Sequence, residues 1–392
     1  MKILVIADCF WPRNAISSFR INAFARYLRQ AGHSVTVITL GDREEVATWE
    51  GCEVHYLENV PVFLNDRFRW YRGLVRRGIN MILSRATMDY LFFWRRRALR
   101  EARKLFDSKG FDVVLSSYMP LSPHLVAMQL RRDGYKFRWI ADMRDEMSRL
   151  PFYSALYVWR LKPYERRILD EAELVLSVSE PIINDFKAIC GHDRFLEITN
   201  GYEYDEIHEV SFQPQFTMAY VGRFYYGIKP DNWFRAFSEL IAEGRIPKDS
   251  RIKIIGDTPK VKVPRNIAEN VFQMKGVEHS EAVCLSLEAD VLVLVHPSGR
   301  KGVYTGKLFD YLATNKPILG LCDPSDVIAD LLEETGAGFA VDESDIPGMK
   351  EMIVRCFCMW KNRVVLPRNW DKIMQYRRSR QVDKLIGYLD DL

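Results

Sequence analysis

One opening pattern occurs twice in this chain, and it constrains the fold more than any other feature. Residues 2–7 are a continuous apolar run of strand length. A loop runs from there to Ser18, and an amphipathic stretch over about 19–31 repeats its apolar positions at helical spacing. Gly32 and His33 stop that helix, and residues 35–40 are again apolar and β-branched. Strand, loop, helix, strand is the start of a doubly wound parallel sheet, since right-handed crossovers return the chain beside its first strand. The pattern restarts at 216–221, a strand, followed by a loop over 222–229. Pro230 then suits the first position of a helix running toward Ala242.

Further strand-like runs at 113–116, 139–142, 174–177 and 196–198 extend the first sheet, and 251–255, 271–274, 291–295 and 317–321 extend the second. At 392 residues the chain is too long for one average core. We therefore expect an α/β protein of two Rossmann-like doubly wound domains facing a cleft. The first domain is read as 1–205 and the second as 206–370, with the polar stretch after Asn200-Gly201 as linker. A C-terminal helix over 371–392 is expected to pack back on the N-terminal domain. Ligands of such sheets bind beyond the carboxyl ends of the strands. Function is therefore sought in the loops at 8–18, 116–124, 142–148, 222–229 and 296–306.

Composition narrows the class. Hydrophobic residues make up 48% and charged residues 28%, as in a globular protein with ample core. A net charge of +4 is too small for a dedicated nucleic-acid binder, and no nucleic-acid partner is expected. The seven cysteines are scattered; Cys356 and Cys358 lack the spacing and partner pair of a zinc site. They read as buried free thiols of a reducing compartment. The first apolar run is too short for a signal peptide or membrane span, which suggests a cytoplasmic chain that begins directly with a strand.

Two loops carry the chemistry. In Gly222-Arg223-Phe224-Tyr225-Tyr226-Gly227-Ile228-Lys229-Pro230 a strand ends, glycines permit close approach of a ligand, and two cations precede a helix N-terminus. Unpaired N–H groups there, with Arg223 and Lys229 beside them, make a diphosphate site. A solvated loop whose Arg and Lys snorkel is the competing reading. In the second loop Thr305 suits an N-cap, Gly306 lets a phosphate approach the first turn, and Lys307 adds charge. Asp310 lies one turn in, placed to accept hydrogen bonds from ribose hydroxyls. The competing reading is an ordinary capped helix with Asp310 favourable to its dipole.

These residues resemble the family-4 glycosyltransferases of the GT-B fold. The likeness is strongest over 220–341. Val-Gly-Arg-Phe with a lysine six residues on is similar to the family's diphosphate pair, at Arg223 and Lys229. Residues 307–313 with Lys316-Pro317-Ile318-Leu319 are similar to its K-x-x-E-Y-L-A-x-x-K-P-[IV]-[LI] element, with Asp310 in place of the ribose-binding glutamate. Glu334-Thr335-Gly336-Ala337-Gly338 looks like its E-x-G-x-G stretch, or else a plain helix stop with Gly336 as the cap. The chain departs from the pattern at Gly302, where many members carry a glutamate touching the donor sugar; Arg300, Lys301 or backbone would take that contact. The N-terminal Gly-Gly loop is replaced by residues 11–20, where Ser17, Ser18 and Arg20 can contact acceptor or phosphate, or Ser17 or Ser18 can simply cap the helix.

On the N-terminal side, Asp142-Met143-Arg144-Asp145 resembles the D-x-R-D segment of one family branch, with Asp145 a candidate to orient or deprotonate an acceptor; a self-paired Asp–Arg turn is the alternative. His124 stands where many relatives use a histidine, and a structural histidine is its alternative. Residues 67–104 hold eleven arginines, Lys104 and interleaved aromatics, which suits an anionic membrane surface or a solvated helical face.

The resemblance implies transfer of a hexosyl or N-acetylhexosaminyl group from a UDP- or GDP-type nucleotide sugar to a hydroxyl acceptor. It implies retention of configuration and no metal or cofactor beyond the donor itself. The basic segment points to a lipid-linked saccharide acceptor in surface polysaccharide synthesis and to peripheral attachment at the inner membrane face. A nucleotide-sugar epimerase or isomerase of the same fold, or a non-catalytic partner subunit, is the alternative.

Overall fold

The computed structural model describes residues 1–59, 89–149, 153–224, 228–256, 261–296 and 301–391. They form two compact units, Met1–Thr199 with Val382–Leu392, and Asn200–Gln381.

The first unit is built on strands β1 (Lys2–Ile6), β2 (Ser34–Leu40), β3 (Glu45–Trp49), β4 (Cys52–Leu57), β5 (Val113–Ser117), β6 (Arg138–Asp142), β7 (Leu174–Ser177) and β8 (Phe195–Glu197). Their order in the sheet is β3-β4-β2-β1-β5-β6-β7-β8. Strands β5 and β7 are buried along their whole length, which is why they read as unbroken apolar runs. The antiparallel pair of β3 with β4 is not among the strands expected from periodicity. Glu50 and Gly51 turn it with φ of 47° and 79°, a two-residue hairpin that uses Glu where Asn or Asp would have announced the turn.

The second unit holds β9 (Thr217–Val221), β10 (Arg251–Ile255), β11 (Val271–Met274), β12 (Val291–Val295), β13 (Ile318–Leu321) and β14 (Gly338–Val341), all parallel, in the order β11-β10-β9-β12-β13-β14. Strand β14 is not among the strands expected from the sequence. Gly336 does end helix Val327–Glu334 with φ 59°. Gly338 then opens a strand so close to Ile318 that a Cβ would strike its carbonyl. Pro230 sits just before helix Asp231–Ala242 rather than at its first position.

The C-terminal stretch is two helices, Trp370–Met374 and Arg378–Asp390, not one. Val382, Leu385 and Leu389 of the second lie in the first unit's core with Ile3, Val5, Phe24 and Leu115. Burying each such side chain contributes about 1.5–3 kcal/mol, so this helix is part of that unit's stability. Of the cysteines, Cys9, Cys52, Cys322 and Cys356 are buried, but Cys284 and Cys358 are exposed. No helix among the described residues is long and apolar enough to cross a membrane.

Strand order locates the binding edge in each unit. The chain leaves β1 for β2 on one side and later places β5 on the other; likewise β9 has β10 on one side and β12 on the other. Such reversals open a crevice at the strands' carboxyl ends. In the second unit the crevice is explicit, because β9 and β12 pair only at Met218–Val291 and Ala219–Leu292. Past that point Val221 gives its N–H to the Tyr311 hydroxyl at 2.8 Å.

Candidate functional site at the second unit's switch point

The two loops singled out in the sequence follow β9 and β12, so sheet order alone puts them on either side of one crevice. Their closest link is Lys307. Its ammonium donates to the Tyr220 hydroxyl at 2.6 Å and lies 4.1 Å from the centre of the Tyr220 ring. Tyr220 in turn stacks on Phe224 at 4.2 Å and donates its hydroxyl hydrogen to the Arg223 carbonyl at 3.0 Å. Gly222 is required here twice over. Its φ is 131°, and a Cβ on it would stand 2.9 Å from the Lys307 nitrogen. A Cβ on Gly256, just past β10, would strike the Gly222 carbonyl. Burial pushes the Lys307 ammonium down to about 7, so this cation is held at the edge of deprotonation.

Arg223 and Lys229 are exposed on the same loop, which is described except at 225–227. Thr305 takes the N-cap position of helix Gly306–Leu312 with extended backbone, but its side chain makes no capping bond, contrary to the expectation from sequence. Its Oγ1 is enclosed and has no partner. The helix is seven residues long, so its macrodipole is small.

Asp310 is held by contacts that no motif announces. His279, at the start of helix His279–Leu287, places Nε2 3.0 Å from one Asp310 carboxylate oxygen. The other oxygen is enclosed without a hydrogen-bond partner. Tyr204 donates its hydroxyl to the Asp310 backbone carbonyl. The available signal for His279 is its place just after residues 271–277, where β11 ends and its loop begins. Gly302, which the resemblance sets where a glutamate is expected, has φ 76° and gives its N–H to Asp326 at 2.8 Å. Lys301 pairs with Asp323 at 3.0 Å, and Arg300 lies outside the described residues.

The N-terminal expectations fare differently. His124 is a core residue rather than one presented to a ligand. It is fully enclosed, with Nδ1 2.7 Å from the Ser116 hydroxyl that also accepts the Trp139 indole N–H at 2.7 Å. Burial pushes its imidazole down to about 3, leaving it neutral. Neither Ser17 nor Ser18 caps the first helix, Ile16–Gln30, whose N-cap position is Ala15. Arg20 is not available to a substrate: it is 4% exposed and bound to Asp142 at 2.8 Å and to the carbonyls of Ile198 and Thr199.

Asp145 is half-buried beyond β6. The Nε of Arg144 donates to the Tyr118 carbonyl at 2.6 Å. Asp8, past the end of β1, is a further candidate that neither pattern nor motif singles out. Burial pushes its carboxyl up to about 6, against the pull of Arg144 and Arg13.

Of the basic segment, 60–88 lies outside the described residues. In helix Phe92–Lys109, Phe93 and Trp94 face the core. Arg95, Arg97, Arg103 and Lys104 are paired with Asp89, Glu44, Asp133 and Glu101.

With this geometry in place, likenesses to known proteins bear on the chain. Residues 18–194 match a family model described as Glycosyl transferase 4-like domain. No curated protein matches the sequence. Sucrose-phosphate synthase from Thermosynechococcus elongatus is similar over 100% of this chain and 99% of its own, at 14% identity and a TM-score of 0.70. A trehalose-6-phosphate protein from E. coli, solved with UDP-2-fluoro glucose, is similar over 100% and 99% at 11% identity and 0.63. WaaG, a glycosyltransferase involved in lipopolysaccharide biosynthesis, is similar over 96% and 94% at 14% identity and 0.56. Two parallel-sheet Rossmann-like units are common to this architecture. The chain has the two-domain GT-B type fold of these proteins, and its likeness to a glycosyl transferase 4-like domain lies in residues 18–194.

Proposed function

We propose that the chain transfers a hexosyl or N-acetylhexosaminyl group, with retention, from a UDP- or GDP-type nucleotide sugar to a hydroxyl acceptor. The observation that carries this is the Lys307 ammonium set between the two switch-point loops. It stands on Tyr220 beside Gly222, with Arg223 and Lys229 on the adjoining loop. Cations gathered at a strand-end crevice suit a leaving diphosphate, whose charge grows as the glycosidic bond breaks. In this reading Arg223, Lys229 and Lys307 stabilise the diphosphate, residues 305–307 offer backbone N–H groups, and Asp310 takes the ribose. Asp145 orients the acceptor. The donor is a substrate, and no other cofactor is assigned.

The similar E. coli protein was solved with a UDP-sugar analogue, which supports this donor class. The likeness to a lipopolysaccharide glycosyltransferase supports a lipid-linked saccharide acceptor in surface polysaccharide synthesis, reached from the inner membrane face. Thermal-shift titration with UDP, GDP and their sugars tests the donor. One nucleotide should raise Tm in wild type by several degrees, and Lys229→Ala should remove most of that rise. An unchanged response in the variant would sink the assignment. Co-sedimentation with anionic vesicles at low salt is expected for the membrane reading; failure to co-sediment counts against it.

A further inference from the structure

We propose that His279 is the positioning residue for Asp310, fixing its carboxylate so that one oxygen is reserved for a ribose hydroxyl. The proposal rests on the nucleotide-sugar reading of this crevice and adds a residue to it.

The geometry is specific. Helix His279–Leu287 leads into β12, and helix Gly306–Leu312 leads away from it, so both residues belong to the surroundings of one strand. His279 Nε2 lies 3.0 Å from Asp310 Oδ2. Asp310 Oδ1 is enclosed and has no donor, and a carboxylate oxygen left in that condition is costly unless a ligand completes it. The Tyr204 hydroxyl holds the backbone carbonyl of the same residue. Backbone and side chain of Asp310 are thus anchored separately, and its one incomplete atom is an acceptor. A hydroxyl is the matching donor.

The shorter side chain explains why an anchor is needed. An aspartate at this position keeps its carboxylate one methylene nearer its own helix than a glutamate would. Without a second contact it can turn back toward the helix or swing between rotamers, and each lost arrangement weakens a directed hydrogen bond. His279 restricts that freedom by holding one oxygen. Its own role is indirect: it touches Asp310 and acts on the sugar through it.

The test uses the full chain and whichever of UDP or GDP wild type binds more tightly. Affinities are measured for that nucleotide and for its 2′-deoxy and 3′-deoxy forms. Wild type should prefer the ribonucleotide over at least one deoxy form by roughly tenfold or more, the contribution expected of a hydrogen bond to a charged group. His279→Ala should lose most of that preference while binding the disfavoured deoxy form about as well as wild type does. His279→Gln, whose amide can donate to the same oxygen, should recover part of the preference. Because the readout is a ratio within one folded preparation, general destabilisation does not mimic it. Should the alanine variant fail to fold, His279→Leu fills the same volume and takes its place.

Equal weakening of ribo and deoxy forms in the variant would overturn the proposal, and so would an unchanged ratio. Absence of any ribo preference in wild type would overturn it too, yet leave the diphosphate grip standing. Absence of nucleotide binding altogether would remove the donor reading and this proposal with it.

Discussion

The two units repeat one core topology, and one carboxylate in each, Asp142 and Asp310, shows how differently they treat charge near the strand ends. In the first, Arg20 gives Nε and an Nη of its guanidinium to Asp142, and its other Nη to the carbonyls of Ile198 and Thr199. Ser117 completes Asp142 at 2.7 Å. Neutral groups such as Ser18 Oγ are left over there, but these two buried charges are matched. In the second unit Lys307 rests on a tyrosine, Arg223 and Lys229 are exposed, and Asp310 keeps an enclosed oxygen without a donor. A matched pair beneath strand ends holds a fold together. A carboxylate left incomplete near the strand ends is tolerated where a ligand completes it.

Two sets of substitutions can break this contrast. Arg20→Ala should have the largest effect, because it leaves Asp142 charged, enclosed and unpaired. We expect a loss of about 3–5 kcal/mol, seen as a fall in Tm of roughly 10 °C or more. Replacing both partners by apolar residues, Arg20→Met with Asp142→Leu, should recover part of it. A fall of only a degree or two in Arg20→Ala would show that the first unit's pair is not structural. In the second unit the pattern should invert. Arg223→Ala with Lys229→Ala removes exposed charge, so Tm without ligand should stay within a degree or two. Nucleoside diphosphate affinity should drop about 100-fold, measured by calorimetry. A large drop in ligand-free Tm would erase the distinction.

The same contrast separates what residue order makes legible from what only three dimensions supply. Period and strand length expose the parallel sheets, because strands covered on both faces leave continuous apolar runs. Strand order has no such signal, yet it is what brings Arg223 and Lys307 to one crevice. The β3–β4 hairpin escapes because its turn is Glu-Gly, and β14 because Gly338 reads as punctuation while serving as close backbone contact with Ile318. Arg20 and His124 mislead for one shared reason: residue type gives no sign of burial. An arginine near a loop looks like a ligand contact until Asp142, 122 residues away in sequence, is seen beside it. His279 stays hidden because a lone histidine five residues past a strand carries no motif. Only its distance to Asp310 assigns it.

The smallest effect we expect separates the units by pH. Burial has pushed Lys307 from an ordinary lysine value to about 7, with Tyr220 as the group in contact with its ammonium. In the unfolded chain this lysine stays protonated to well above pH 9, so between about pH 7 and 10 the unfolded state binds the extra proton. On this account ligand-free stability should rise with pH across that window. Ligand binding should respond in the opposite sense. A diphosphate favours the ammonium, so above pH 7 binding must draw in a proton, and affinity should fall by up to about tenfold per pH unit. Measurements between pH 7 and 8.5 keep the terminal phosphate, with its second pKa near 6, largely ionised throughout. Lys307→Met should bind more weakly at pH 7 and show a flat profile above it. A sloping profile that survives in Lys307→Met would assign the proton to another group and leave Lys307 as a packing residue on Tyr220. The first unit offers the control, because His124, held near 3, has already lost its proton throughout this range.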